Sequence, residues 1–296
     1  MKLIINTLQM WLVLSLALIL CASTPLSIAQ VTQQWVARYN GPGNNFEYAY
    51  SVAVDDSGNV YVTGSSPGSG TAIDYATIKY NSAGVQQWAA RYNGPGNAND
   101  EARSIAVDDS GNVYVTGNSP GSGTGVDYAT IKYNLLGVQQ WVSRYNGPVS
   151  ASDFSRSIAV DQLGNVYVSG YSEGGQTGSD IATIKYNSAG DSVWVRRYDA
   201  GTGTSSQDAA YALAIDTLGN VYVTGTGYSP TTVSQDYVTI KYGSGGVRLW
   251  TALYSGPRNN YDEARSIKVD GSGNVYVTGR SGDSTNVYDY ATVKYN

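Results

Sequence analysis

The chain has 296 residues, 23 acidic against 18 basic side chains, a net charge of −5 and no histidine. The lack of histidine excludes Ser-His-Asp and Cys-His catalysis and every histidine-ligated metal site, and the acidic balance argues against binding to nucleic acid or to anionic membranes. The 35 Gly and 26 Tyr residues are typical of strands joined by tight turns.

Residues 1–29 have the pattern of a secretory signal peptide. Lys2 supplies the positive charge, Leu8 to Ala22 is almost wholly apolar, and Ser27 to Ala29 forms a small-x-small cleavage site. Cys21 follows Leu20, whereas a lipoprotein signal has a small residue there, so we expect cleavage after Ala29 and no lipid anchor. The mature chain, residues 30–296, is therefore expected to be secreted, periplasmic or displayed at the cell surface, without membrane insertion.

The mature chain is an internal repeat. The string Gly-Asn-Val-Tyr-Val begins at Gly58, Gly111, Gly164, Gly219 and Gly273. A tryptophan recurs with nearly the same spacing, at Trp35, Trp88, Trp141, Trp194 and Trp250. Both markers indicate five repeats of about 53 residues, and this period with strand signals only is typical of propeller blades.

Each repeat contains four strand-like segments separated by turn residues. In the second repeat they are Ala102–Asp108, Asn112–Gly117, Asp127–Asn134 and Val138–Tyr145. The sequence thus predicts a single all-β domain, a five-bladed β-propeller of four-stranded antiparallel blades. The predicted blades span residues 47–92, 100–145, 153–198, 208–254, and 262–296 together with 31–39.

The two ends of the mature chain complement each other. Residues Thr32 to Tyr39 match the fourth strand of a repeat, and Asp289 to Asn296 match a third strand whose fourth is missing. We therefore expect the N-terminal strand to complete the last blade and close the ring, which removes two open strand edges.

The repeats resemble a known family. Asp-Asp-Ser-Gly-Asn-Val-Tyr-Val-Thr-Gly, then Asp-Tyr-Ala-Thr-Ile-Lys-Tyr-Asn, then Gln-Gln-Trp-x-x-Arg-Tyr are similar to the bacterial SBBP-type β-propeller repeat. This resemblance covers nearly the whole mature chain and implies an exported or surface-displayed bacterial propeller, without catalytic residues to carry over. The family name refers to seven blades, whereas this chain has five repeats.

The candidate site residues form a predicted acidic ring at the channel mouth. They precede the innermost strand of each blade and are Glu47, Asp100, Asp153, Asp208 and Asp262. Five carboxylates could bind Ca²⁺, which prefers oxygen ligands. Alternatively, each could accept hydrogen bonds from backbone N–H groups of its own turn. No other cofactor is expected.

The loops between second and third strands and between blades vary in length and sequence, and they share one end of the blades. We expect this variable-loop face to bind a ligand, because variable loops on a rigid scaffold commonly carry binding functions. The leading hypothesis is a monomeric, non-enzymatic binding scaffold for a protein or carbohydrate. The alternatives are a lectin-like propeller with several equivalent sugar sites, a glycosidase-type propeller and a purely structural surface component.

Overall fold

The computed structural model describes residues 31–201, 207–229, 234–257, 260–283 and 287–296, so the predicted signal peptide lies outside the described residues. The chain divides into two compact units, Met1–Val36 and Ala37–Asn296, and every strand named below lies in the second. Within the described ranges there is no helix of the length and apolar character needed to cross a membrane.

The strands follow the repeats. Blade 1 contains β1 (Tyr48–Val54), β2 (Val60–Pro67), β3 (Ile73–Tyr80) and β4 (Gln86–Tyr92). Blade 2 contains β5 (Glu101–Val107), β6 (Val113–Pro120), β7 (Val126–Tyr133) and β8 (Gln139–Tyr145). Blade 3 contains β9 (Asp153–Val160), β10 (Val166–Glu173), β11 (Ser179–Tyr186) and β12 (Ser192–Tyr198). Blade 4 contains β13 (Ala209–Ile215), β14 (Val221–Ser229), β15 (Ser234–Tyr242) and β16 (Arg248–Tyr254). Blade 5 contains β17 (Asp262–Val269), β18 (Val275–Gly282) and β19 (Tyr288–Tyr295).

Each blade is an antiparallel sheet whose strands pair in chain order. The first strands of consecutive blades lie against each other from β1 to β17, so these are the inner strands and the fourth strands are the outer ones. This arrangement confirms the predicted all-β class and the five repeated sheets. Four sheets have four strands, and the fifth has three.

Each first strand carries a β-bulge at the same place. In blade 2, Ala102 pairs with Gly117 and Ser104 pairs with Thr116, so Arg103 has no partner in the register. The glycine opposite is needed there, because a Cβ on Gly117 would overlap the carbonyl oxygen of Glu101. The same register shift occurs in every blade. The repeated Gly that ends Val-Tyr-Val-Thr-Gly is thus explained by a close backbone approach.

Tryptophans from the outer strands hold neighbouring blades together. The Trp88 ring lies 6.2 Å from the ring of Tyr61 in its own blade and 6.3 Å from that of Tyr133 in blade 2. Its indole N–H donates a hydrogen bond to the carbonyl of Leu135, also in blade 2. Blades 2 and 3 repeat these contacts through their own tryptophans. The tryptophans of blades 1 to 3 therefore pack between neighbouring sheets.

The turn between first and second strands is built on an aspartate. The carboxylate of Asp108 accepts hydrogen bonds from the backbone N–H groups of Ser110 and Asn112, at 3.0 and 2.9 Å, and from the Tyr114 hydroxyl at 2.9 Å. Gly111 adopts a positive φ of 76°, which glycine tolerates best. The same hydrogen bonds recur in the other four blades, so this aspartate is explained by the turn that it stabilises.

The two ends of the blade series present uncovered faces. Tyr290 of β19 is 97% exposed, whereas its equivalents Tyr75, Tyr128 and Tyr237 are fully buried against the following blade. On β1, Val52 is 62% exposed, while its blade 2 equivalent is almost fully buried. Packing between blades 5 and 1 would cover both faces.

Pairing between the N-terminal strand and β19 is not formed in the structure. Residues 31–40 contain no strand, and the described partner of β19 is β18. Ala37 and Tyr39 instead pack against Ile78 and Tyr80 of blade 1. The Arg91 guanidinium lies 3.5 Å from the Tyr39 hydroxyl, and the same contact, at the same sequence separation, joins Arg144 and Arg197 to the preceding blade. Tyr39 therefore occupies the place of an outer-strand tyrosine of a blade preceding blade 1.

Candidate functional site

The predicted acidic ring lies where the inner strands begin. Each carboxylate accepts a hydrogen bond from a backbone N–H of the preceding inter-blade loop, at 2.6–2.8 Å: Glu47 from Gly41, Asp100 from Gly94, Asp153 from Gly147, Asp208 from Ala200 and Asp262 from Gly256. The four aspartates are buried. Within the described part of the chain, no three acidic side chains gather closely enough to bind a metal ion. This geometry favours the turn-capping interpretation over a shared Ca²⁺ site.

Burial raises the pKa of Asp208 to about 6, against hydrogen bonds from Ala200 and Tyr228 that lower it. Burial also raises the pKa of Asp100 and Asp153. The folded state then binds these protons more tightly than the unfolded chain does. Protonation of Asp208 therefore stabilises the folded state fully below pH ~4, and this stabilisation is lost as the pH rises through about 6.

We therefore expect the Tm to rise by about 3 °C or more between pH 7.5 and pH 5, measured by differential scanning fluorimetry. Asp208→Asn should remove the larger part of this rise, because the amide cannot ionise. Asp56→Asn, at an exposed turn position, is the matched control and should keep the full rise. An unchanged pH dependence in Asp208→Asn would contradict the role of this carboxyl.

The bulge residues of the inner strands were not identified as site residues from the sequence. They are Tyr50, Arg103, Arg156, Tyr211 and Arg265. Neighbouring members contact one another, because the Arg103 guanidinium lies 4.6 Å from the Tyr50 ring centre and that of Arg265 lies 4.3 Å from Tyr211. Bulges often redirect side chains next to binding sites, and here they place a row of arginine and tyrosine side chains along the inner strands.

A cavity of about 330 Å³ opens at the variable-loop face between blades 3 and 4. Its aromatic wall comprises Phe154, Tyr171, Tyr211 and Tyr261. The rings of Phe154 and Tyr171 are stacked, with centres 5.0 Å apart and planes 28° from parallel. Its size is at the lower end of the range for small-molecule sites, and polar side chains make up most of the rest of its lining.

Besides the tyrosine hydroxyls, the polar groups of this cavity are one cation, two carboxyl groups, two amides and the hydroxyls of Ser179 and Thr226. Arg156 lies over the Tyr171 ring and donates a hydrogen bond to its hydroxyl at 3.4 Å. Glu173 accepts a hydrogen bond from the Ser179 hydroxyl at 2.8 Å. Asp208, the second carboxyl, has both oxygens bound to backbone N–H groups. Arg156 and Glu173 are therefore the charged groups available to a ligand.

Arg156 differs from the other bulge arginines in its surroundings. Arg103 forms an ion pair with Glu101, two residues earlier in its strand, and Arg265 pairs with Glu263 in the same way. In blade 3 the equivalent position is occupied by Phe154. The described residues give Arg156 no ion-pair partner, and its buried Nε, like that of Arg103, has no hydrogen-bond acceptor among them.

Further clefts lie between blades at the opposite end, which carries the short hairpin turns. Their volumes are about 320 Å³ between blades 1 and 2, 110 Å³ between blades 2 and 3, and 700 Å³ between blades 3 and 4. In the first of them Asp55 accepts hydrogen bonds from Asn59 and Tyr61, and Lys79 lies over the Tyr61 ring. Burial raises the pKa of Asp55, but these hydrogen bonds hold it below its usual value. Asp55 is thus satisfied by hydrogen bonds from neighbours in its own blade.

The sequence did contain a signal for the cavity. Repeat alignment shows Phe154 where two other blades have Glu, and Tyr211 where three have Arg. In the sequence alone these two departures have no evident connection. The structure shows that both residues line the same cavity. Glu173 also falls at a variable position, beyond the regular part of the repeat.

The family model described as "Beta-propeller repeat", SBBP, matches residues 34–70, 87–123, 140–175, 193–230 and 249–288. No curated protein matches the sequence.

Among solved structures, the chain resembles the β-propeller domain of the Trilobed protease from Pyrococcus furiosus, described as having an open velcro topology, with 7% identity, a TM-score of 0.53 and coverage of 84% of this chain and 68% of that one. It also resembles a protein of unknown function from Dyadobacter fermentans, with 7% identity, a TM-score of 0.48 and coverage of 82% and 74%. A GH43 endo-arabinanase from Bacillus licheniformis aligns with 12% identity, a TM-score of 0.38 and coverage of 87% and 96%. The first likeness supports the propeller fold and carries no function across.

Proposed function

Since the chain belongs to the SBBP β-propeller repeat family, we propose that it is an exported, non-enzymatic binding module that takes a carbohydrate ligand at its variable-loop face. The observation that carries this proposal is the aromatic cavity between blades 3 and 4. Aromatic faces stack on the apolar faces of sugar rings, and a few polar groups fix their hydroxyls. The signal peptide pattern supports export.

A binding role agrees with the carboxyl groups of the cavity. Glycoside hydrolysis generally needs two carboxyl groups, one as acid and one as base or nucleophile. Asp208 is buried, and its two carboxylate oxygens accept hydrogen bonds from the backbone N–H groups of Ala200 and Tyr228. Both oxygens are therefore occupied by the protein backbone. Glu173 is then the one available carboxyl in the cavity lining.

We also propose that the ring closes, with residues 31–39 pairing with β19 as the fourth strand of blade 5. The position of Tyr39 against Arg91 supports closure, because it is the position that a preceding blade's outer strand takes elsewhere in the chain. The exposed faces of β1 and β19 support it as well, because closure would bury Val52 and Tyr290. A closed ring would act as a monomeric scaffold.

A glycan array of residues 30–296, run with Ca²⁺ and with EDTA, tests the proposed function. We expect saturable binding to one class of sugar, reduced at least tenfold by Tyr211→Ala. Tyr50→Ala, which changes the equivalent bulge tyrosine of blade 1, is the matched control and should bind normally. Loss of sugar binding in EDTA would indicate that a bound Ca²⁺ ion is needed, with the acidic ring as its candidate site. The proposal would be contradicted by a blank array in both buffers, or by sugar binding whose affinity is unchanged in Tyr211→Ala.

A lectin with several equivalent sites is the second candidate, and the repeated clefts at the hairpin-turn face favour it. Their unequal volumes and internally satisfied polar groups argue against equivalence. Stoichiometry separates the two: calorimetry should give one ligand per chain for the aromatic cavity and several for the clefts.

A further inference from the structure

The cavity between blades 3 and 4 contains an arginine, Arg156, that has no ion-pair partner among the described residues. Repeat equivalents show what normally accompanies an arginine at the bulge: Glu101 pairs with Arg103, and Glu263 is 1% exposed and pairs with both Arg265 and Arg280. Phe154 removes that carboxylate from blade 3 and supplies a ring in its place. The replacement leaves Arg156 charged, half-buried and available.

The surroundings of Arg156 select the kind of anion. A guanidinium presents a planar fork of N–H donors that matches a carboxylate. Glu173 and Asp208 line the same cavity, so a doubly charged phosphate would meet repulsion from both with one arginine to offset it. A singly charged carboxylate fits this balance better.

The remaining walls indicate what carries that carboxylate. The stacked pair of Phe154 and Tyr171 and the neighbouring rings of Tyr211 and Tyr261 provide apolar faces, and Gln235 and Glu173 provide hydrogen-bonding groups at the rim. Ring faces, amide and carboxylate acceptors together suit the C–H face and hydroxyls of a sugar.

Resting on the proposed function, we propose that this cavity binds a carboxylate-bearing sugar, such as a hexuronate residue of an acidic polysaccharide, with Arg156 holding the carboxylate. Phe154 has two roles in this site. Its ring stacks beside the ligand. It also takes the position at which blades 2 and 5 have a glutamate paired with the arginine, so Arg156 is left without that ion pair.

The test compares two probes with the same sugar chain, one with charged carboxylates and one with neutral methyl esters. Isothermal titration calorimetry of residues 30–296 would use tri-galacturonate and its fully methyl-esterified form. We expect the acid form to bind at least tenfold more tightly than the ester, with an advantage that shrinks as salt is added.

Two variants remove this advantage in different ways. Arg156→Gln deletes the cation, and Phe154→Glu rebuilds the ion pair that blades 2 and 5 already contain, so the fold has a precedent for it. Both should bring the acid and ester forms to equal, weak affinity. Arg103→Gln, the matched control in blade 2, should leave the preference intact.

The outcomes separate this inference from the function on which it rests. Equal affinity for acid and ester in the unmodified protein, or an array that finds a neutral sugar while the uronate stays unbound, overturns the acidic-sugar assignment and leaves carbohydrate binding in place. A preference for the acid that survives Arg156→Gln also overturns it. Failure of both probes together with a blank array overturns both proposals.

Discussion

Arg144→Ala is expected to lower the free energy of unfolding by about 3 kcal/mol, because it leaves a buried carboxylate without its counterion. Arg144 lies 2.9 Å from Asp127, whose side chain is 4% exposed. It also donates hydrogen bonds to the hydroxyl and the carbonyl of Ser119, at 2.7 and 2.6 Å, and to the Tyr92 hydroxyl of blade 1 at 3.1 Å. One side chain thus connects four strands, β4, β6, β7 and β8, from two blades.

Denaturant unfolding followed by both tryptophan fluorescence and circular dichroism would measure this loss. The double variant Arg144→Leu/Asp127→Asn is the control, since it removes both charges together and should recover most of the stability. Blade 4 keeps the aspartate but not the arginine: Leu253 occupies the arginine position, and the buried Asp236 accepts a hydrogen bond from the Ser234 hydroxyl. A loss below about 1 kcal/mol in Arg144→Ala would mean that the pair behaves as an exposed surface ion pair.

The sequence predicts most of the fold because the residues that form each turn and strand recur five times. Gly-Asn-Val-Tyr-Val and the recurring tryptophan locate each blade, since a turn glycine and a wedge between sheets are both needed once per blade. The aspartate of the first hairpin is likewise predictable, because its hydrogen bonds lie within six residues of it. Interactions between residues that are close in sequence, and that recur at the same position of every repeat, can therefore be predicted from the sequence.

The candidate site was less predictable because it depends on where the repeats differ. The acidic ring drew attention by its regularity, and the structure places its aspartates in buried contacts with backbone N–H groups. The cavity depends instead on departures from the commoner residues, Phe154 in place of Glu and Tyr211 in place of Arg, which lie in different blades and line the same cavity. In a repeat protein the common residues build the scaffold, so a specific ligand is best sought where one blade deviates.

Ring closure was predicted from the matching ends of the chain, yet the structure does not pair them. The difference has a physical basis in what each end already contacts. Ala37 and Tyr39 gain packing against blade 1 with or without blade 5, so these contacts alone do not bring β19 to them. Closure needs the additional burial of faces that include Val52 and Tyr290.

A disulfide between Ala37→Cys and Thr292→Cys is expected to form within one chain and to raise the free energy of unfolding by up to about 5 kcal/mol, because it would close a loop of roughly 250 residues. The choice of residues follows the register inside blade 1, where Thr77 pairs with Ala90, and these are the repeat equivalents of Thr292 and Ala37. The mature chain has no other cysteine, so the product is unambiguous. Oxidation, non-reducing electrophoresis and thermal unfolding would measure both effects.

Two controls make the result decisive. Thr77→Cys/Ala90→Cys should form its disulfide whatever the state of the ring, because both residues belong to blade 1. Ala37→Cys/Val293→Cys is out of register by one residue, which places the second thiol on the opposite face of the strand, so it should stay reduced. Crosslinked dimers would show that β19 of a second copy covers blade 1, and oxidation of the blade 1 pair alone would show that the ring stays open. Either outcome would replace the closed monomer, because the exposed faces of β1 and β19 would then be available for contacts between chains.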